Sequence, residues 1–266
     1  MKGSYYTLIT GASQGIGKAM AMECAKRSLN LFLVALDTDA LKETANEIQN
    51  TYSVKVRHLG IDLTEKDAPR MVYDWCKEQG LRVNTLINNA GIGNSGLFEE
   101  NPLKDYLAIM NLNNKAMIEL TYHFFKDLKA IGKGHILNVS SMEATLPLPY
   151  KAVYTGTKNF IYAFSLAIRE ELKGSGISVT VLCPASVITN EGGHQRIKAH
   201  GAKGKLVFKM MVSYPHTVAY KAIKGMLEGK QVIIPNPAPW IIVKFMKVMP
   251  TAIKMKILEK IFRVYR

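Results

Sequence analysis

Tyr5-Tyr-Thr-Leu-Ile-Thr10-Gly-Ala-Ser-Gln-Gly-Ile-Gly17 is the stretch that decides the architecture. Tyr5–Thr10 reads as a short β-rich run, Gly11–Gly17 as a turn, and residues 18–28 as good helix formers. Glycines at 11, 15 and 17 let the backbone turn sharply and approach a pyrophosphate closely. The free N–H groups at the following helix start favour that anion. The first two glycines are separated by three residues, wider than the ordinary dinucleotide fingerprint. Lys18 adjoins Gly17 without a Gly-Lys-Ser/Thr sequence, which argues against an ATPase P-loop.

Outward from this unit the chain alternates. Leu31–Leu36, Val54–Ile61, Val83–Asn88, His135–Ser140, Ile177–Leu182 and Gln231–Ile234 read as further strands. Asp39–Thr51, Asp67–Gln79, Tyr154–Leu172 and Val218–Gly229 read as helices, and Pro102–Asp127 as one long helix or two joined ones. Near-continuous apolar strands with crossover helices specify an α/β fold: a mostly parallel, doubly wound sheet covered on both faces. Residues 1–239 are expected to form one Rossmann-like catalytic domain with a substrate loop at about 190–215, and 240–266 a C-terminal helical appendage.

A hydrophobic fraction of 48% and a charged fraction of 21% suit a water-soluble globular chain. The start carries no cationic, apolar leader pattern, so the expectation is a cytoplasmic protein. Cys24, Cys76 and Cys183 are too dispersed for a disulfide framework or a metal cluster. Charge is uneven: residues 1–190 hold 20 Lys/Arg against 18 Asp/Glu, whereas residues 191–266 hold 15 against 3. The basic field belongs to the last third.

Tyr154 and Lys158 stand four residues apart, on one face of a helix. Ionising a tyrosine at neutral pH costs about 4 kcal/mol, and an adjacent ammonium lowers that cost. Such a phenol can give or take the proton of a reacting oxygen. Ser140 and Ser141 lie upstream, and in extended backbone their side chains diverge.

Thr10–Gly17, Asn88-Asn-Ala-Gly91 and Tyr154-Thr-Gly-Thr-Lys158 together resemble, in order and separation, the signatures of classical short-chain dehydrogenases/reductases. The resemblance covers roughly residues 5–235 and implies a Rossmann-like sheet of about seven strands with NAD or NADP as cofactor. It implies Tyr154 as proton donor or acceptor, Lys158 reaching the nicotinamide ribose, and Ser141, thirteen residues before the tyrosine, orienting the substrate oxygen. Asn111, in Met110-Asn-Leu, resembles the asparagine that holds a water connected to the lysine. The implied cofactor contacts are Gly11, Ser13, Gln14, Gly15, Ile16 and Gly17 in the glycine turn, and Asp62 and Leu63 after the third strand. Asn89, Ala90 and Gly91 follow the fourth strand, where a scaffold role outweighs direct chemistry. Pro184, Ala185, Val187 and Thr189 match a cofactor loop, with alanine where the family usually has glycine.

Asp37, past the end of the second strand, can accept hydrogen bonds from ribose hydroxyls and repel a 2′-phosphate; neither position 13 nor position 36 supplies an arginine. The expectation is therefore NAD rather than NADP. Met142, Leu146, Pro147 and Tyr150, with Phe208, Met210 and Met211, suit a pocket for a hydrophobic ketone or acyl ketone and its secondary alcohol. An NADP-dependent ketoacyl reductase is the alternative, and a nucleotide-binding redox sensor a more distant one.

From Pro250 to Arg266, Ile253, Ile257, Leu258, Ile261, Phe262 and Tyr265 recur at helical spacing, with lysines and arginines mostly away from them. This basic amphipathic helix suits peripheral contact with an anionic membrane, or packing over a partner subunit or the chain's own pocket. The family resemblance implies a homodimer or homotetramer. No nucleic-acid reading module is present, so no nucleic-acid partner is expected.

Overall fold

The computed structural model describes residues 5–187 and 212–265. Thr189, Phe208, Met210, Met211 and the expected substrate loop as far as residue 211 lie outside them. The strands are β1 Tyr5–Thr10, β2 Asn30–Ala35, β3 Val56–Gly60, β4 Arg82–Asn88, β5 Gly134–Val139, β6 Ile177–Leu182, β7 Ser186–Val187, β8 Val212–Ser213 and β9 Val232–Ile233. The helices are α1 Gly15–Lys26, α2 Asp39–Thr51, α3 Ala68–Glu78, α4 Leu103–Met110, α5 Ala116–Ile131, α6 Ala152–Glu171, α7 Pro215–Leu227, α8 Pro237–Val248 and α9 Thr251–Phe262.

Seven strands form one parallel sheet in the order β3-β2-β1-β4-β5-β6-β9, and β7 pairs with β8 apart from it. Each strand feeds both faces. On β2, Leu31, Leu33 and Ala35 join Ile9, Met20, Leu41 and Ile48 on one side of the sheet. The intervening Phe32 and Val34 join Leu8, Val72, Leu86 and Phe124 on the other. This two-residue alternation with both faces apolar is why the strands read as continuous hydrophobic runs. Burying each such side chain contributes about 1.5–3 kcal/mol relative to leaving it exposed.

The chain winds outward from β1 in both directions, so order reverses between β1 and β4. An open parallel sheet places its ligand crevice there, beyond the carboxyl ends of the strands. Gly11, Asn89–Gly91, Ser141 and Pro184 follow the carboxyl ends of β1, β4, β5 and β6.

Two local features differ from the periodic pattern. The helical run after Pro102 is interrupted by a π-turn at Asn111–Lys115, joining α4 to α5. At the C-terminus two helices stand where one was expected from Pro250; proline, lacking an N–H and restricting the residue before it, separates them. Val243 and Met246 of α8 and Leu258 of α9 bury against Met142, Leu146 and Leu148. Among the described residues, no helix is long and apolar enough to cross a membrane.

Candidate active site

The glycine turn is fixed by contacts that leave no room for side chains. Gly11 and Gly15 have φ of +64° and +58°. A methyl group on Gly17 would lie 2.0 Å from the Gly11 carbonyl oxygen, which explains a glycine inside the first turn of a helix. The side chain of Gln14, the residue before α1, makes no capping hydrogen bond, and the helix has no acidic residue in its first turn. The early N–H groups, without intrahelical partners, therefore face a cradle that fits an anionic pyrophosphate.

Asn89 ties this turn to β4. Its Nδ2 donates to the carbonyls of Thr10 and Gly11 at 2.8 and 3.2 Å, while the Thr10 hydroxyl accepts from the backbone N–H groups of Asn89 and Ala90, both at 3.0 Å. Asn88 is buried deeper, donating to Asn138 and Thr121. Asp62 accepts from both the N–H and the hydroxyl of Thr64 at 2.8 Å, and Leu63 is buried. Exposed Asp37 stands 3.6 Å from Lys42 and packs over Gly60, where any side chain would collide with it. Pro184 is buried at the end of β6, and Ala185 packs against the C-terminal cluster. Ala185 is not among the positive-φ positions, so its methyl costs the loop no backbone strain.

The groups expected to react follow β5 and stand on α6. Ser140 turns its hydroxyl to the Lys158 carbonyl at 2.7 Å, fastening α6 to the sheet. Ser141 turns elsewhere: its oxygen accepts from the Glu143 N–H at 3.0 Å. Lys158 is buried, with Nζ 5.8 Å from the Tyr154 ring centre and donating to the Val139 carbonyl at 3.0 Å. Burial lowers the lysine to about 8, opposed weakly by the Cys183 thiol. Burial, reinforced by the Glu143 carboxylate, raises the Tyr154 phenol above its ordinary value, and the Ser141 hydroxyl offsets part of this. In the chain alone desolvation dominates the phenol, and the ammonium is turned to the Val139 carbonyl.

The π-turn brings Asn113, rather than Asn111, to this cluster. Asn113 is buried; its Oδ1 accepts from the Ile92 N–H at 3.0 Å, and its Nδ2 donates to the Ile92 carbonyl at 2.9 Å and to the Thr157 hydroxyl at 3.0 Å. A methyl placed on Gly91 would meet Asn113 Oδ1 at 3.0 Å and Lys158 Nζ at 3.2 Å, so these three residues converge. Asn111 is only partly buried. The sequence offers asparagines at 111, 113 and 114, and ordinary helical spacing fails across a π-turn, so the choice could not be made from periodicity. Gly93 was also missed: a methyl there would lie 2.5 Å from the Tyr154 ring, so its bareness seats the phenol.

Asn94, Leu97, Phe98, Tyr106, Tyr150 and Lys151, with Glu99, line a cleft of about 230 Å³; Ser141, Tyr154 and Lys158 are not among its lining residues. Tyr150 thus lies at the cleft, whereas Met142 and Leu146, expected as its wall, are buried beneath α8 and α9.

A short chain dehydrogenase model matches residues 6–198. The chain belongs to the short chain dehydrogenase family. It is 34% identical over 188 residues to 17-beta-hydroxysteroid dehydrogenase type 3 of Homo sapiens, a match covering 69% of this chain and 59% of that one. It is also 34% identical over 190 residues to very-long-chain 3-oxoacyl-CoA reductase of Rattus norvegicus, covering 69% and 60%. These matches therefore span about three-fifths of the curated relatives. A short-chain dehydrogenase from Sphingobium yanoikuyae in complex with NADPH superposes with a TM-score of 0.78 at 28% identity, covering 93% of this chain and 97% of that one.

Proposed function

We propose that the protein is an NADP-dependent oxidoreductase that interconverts a hydrophobic ketone, of acyl or steroid-like type, with its secondary alcohol. The observation that carries this reading is the convergence of Tyr154, Lys158 and Asn113 on Gly91 and Gly93, with Ser141 at the end of β5, at the carboxyl edge of the sheet. The cradle would hold the dinucleotide pyrophosphate, and the nicotinamide, when bound, supplies or accepts the hydride. The chain's own residues do the rest. Ser141 donates to the substrate oxygen and orients it. Tyr154, whose burial favours the protonated phenol, gives that oxygen a proton in reduction and is left as phenolate; in oxidation the phenol must first lose its proton, and the phenolate then receives the one from the alcohol. Lys158 supplies positive charge beside the phenol as proton transfer proceeds, and Asn113 takes the positioning role expected of Asn111.

The expectation of NAD rested on Asp37. Its carboxylate stands near Lys42, both exposed, and such a pair contributes only about 0–1 kcal/mol. Lys42 can therefore turn to a 2′-phosphate, and the structurally similar protein in complex with NADPH supports the same choice. A hydrophobic substrate is supported by Leu97, Phe98 and Tyr106 in the cleft and by the likeness to steroid and 3-oxoacyl-CoA enzymes, and Asn94, whose Nδ2 has no partner among the described residues, can meet a polar atom of the ligand.

A crossed assay tests the reading: NADPH and NADH, each against long-chain 3-oxoacyl thioesters, steroid ketones and small sugars. The expected result is turnover of one hydrophobic class with NADPH preferred. Preference for NADH would restore the NAD assignment, turnover of sugars alone would overturn the substrate class, and nucleotide binding without oxidation of any partner would favour a redox sensor.

A further inference from the structure

We propose that α8 and α9 form a docking surface for an anionic lipid bilayer. Both helices press one side onto the same buried cluster, through Val243 and Met246 on α8 and Leu258 on α9. Each also exposes a second apolar stripe. On α8 it is Ile241, Phe245 and Val248, spaced at four and three residues and 70%, 67% and 82% exposed. On α9 it is Ile253, Ile257, Ile261 and Val264, again at helical spacing and all exposed. At 100° per residue the α8 stripe lies about 160° from the packed positions, whereas the α9 stripe centres about 100° from Leu258 and leaves the side opposite Leu258 to Lys256, Lys260 and Arg263.

A helix apolar on both sides is ordinarily enclosed by protein. Here the outward stripes are bordered by Lys244, Lys247, Lys256, Lys260 and Arg263, all exposed. Residues 237–266 carry seven lysines and arginines against a single glutamate, Glu259. That glutamate is engaged by the Tyr150 hydroxyl at 2.9 Å and by Arg263 at 2.7 Å. The charge decides the occupant. A second copy placing the same face against this one would bring like charges together, whereas an anionic interface accepts the apolar side chains and neutralises the cations. The helices would lie in the plane of the headgroups. Contacts to the catalytic segment fix them: besides Tyr150–Glu259, the Lys151 ammonium lies 4.5 Å from the Tyr265 ring centre.

The test is sedimentation of the full chain with phosphatidylcholine vesicles, with and without phosphatidylglycerol, at low and high salt. The expected result is binding to the anionic vesicles that weakens with salt. Phe245→Ser/Ile257→Ser/Ile261→Ser and, independently, Lys256→Gln/Lys260→Gln should each reduce partition about tenfold or more. Circular dichroism melts and ketone turnover verify that each variant is folded, and the lysine variant tests the face without touching packed residues. Equal partition to neutral and anionic vesicles, or no partition at all, overturns the proposal. So does an oligomer that dissociates when the apolar stripe is substituted while vesicle binding is unchanged, since a second copy would then be the occupant.

Discussion

At Gly17 a single methyl would sit 2.0 Å from a backbone oxygen; at Ile261 of α9 a whole side chain leaves 57% of its surface exposed. The glycine cradle and the C-terminal helices are both legible as motifs, yet they are specified differently. In the cradle, backbone lies against backbone at Gly11 and Gly17, and those positions admit only glycine. On the C-terminal helices, spacing establishes a helix and an apolar face, but apolar residues at several angles around it leave open which side meets the protein. Close backbone contact identifies a site from sequence; an amphipathic stripe identifies only a surface seeking a partner.

The sharpest way to break this contrast is Gly17→Ala. Collision with the Gly11 carbonyl should lower unfolding free energy by about 3 kcal/mol or more and abolish nucleotide binding, read by denaturant melts and nicotinamide fluorescence. A loss below about 1 kcal/mol would mean the turn can shift, and the cradle would be no more exacting than the helices.

Lys158→Met separates chemistry from stability. Turnover should fall by about 10²–10⁴, whereas removing a buried cation should stabilise the fold at pH 7 by about 1–3 kcal/mol. The sign follows from the lysine's lowered value of about 8 against an ordinary 10.5. Below pH 8 both folded and unfolded chains carry the charge, and the folded one bears the full desolvation cost. Between 8 and 10.5 the folded chain is neutral while the unfolded chain still holds its proton, so wild-type stability rises and the variant's advantage shrinks. An advantage independent of pH would contradict this account of the buried ammonium.

Asn113→Ala should cost about 1–3 kcal/mol, because it removes partners from the Ile92 N–H and carbonyl, and it should also slow proton transfer. Asn111→Ala should remain within about 0.5 kcal/mol with normal turnover. The reverse ranking would return the role to Asn111. At the C-terminal helices the effects should be smallest: Glu259→Gln, weakening the bonds to Tyr150 and Arg263, should lower stability by about 0.5–1 kcal/mol in thermal melts. A loss above about 2 kcal/mol would show α9 fastened to the catalytic segment as firmly as the cradle is to β4.

What could be read from the chain follows the same division. The parallel sheet was visible because each central strand is apolar on both faces, as Leu31, Phe32, Leu33 and Val34 illustrate. The glycine turn was visible because close approach excludes other residues. Asn113 was hidden because a π-turn shifts helical phase by an amount no periodic pattern records. Met142 and Leu146 were assigned to the cleft because burial beneath a distant helix and exposure to a pocket require the same apolar side chains. The surroundings of Tyr154 were only partly legible. Spacing places an ammonium on its face of the helix but says nothing about the larger cost of burying a phenolate or the carbonyl that turns the ammonium away.

The central claim is that the Tyr154 phenol transfers the proton that accompanies hydride transfer. Stopped-flow single turnover with saturating NADPH and the ketone selected by the crossed assay isolates that step. For Tyr154→Phe the account predicts a rate about 10²–10⁴ lower than wild type with nucleotide affinity unchanged; an unaltered single-turnover rate would contradict it.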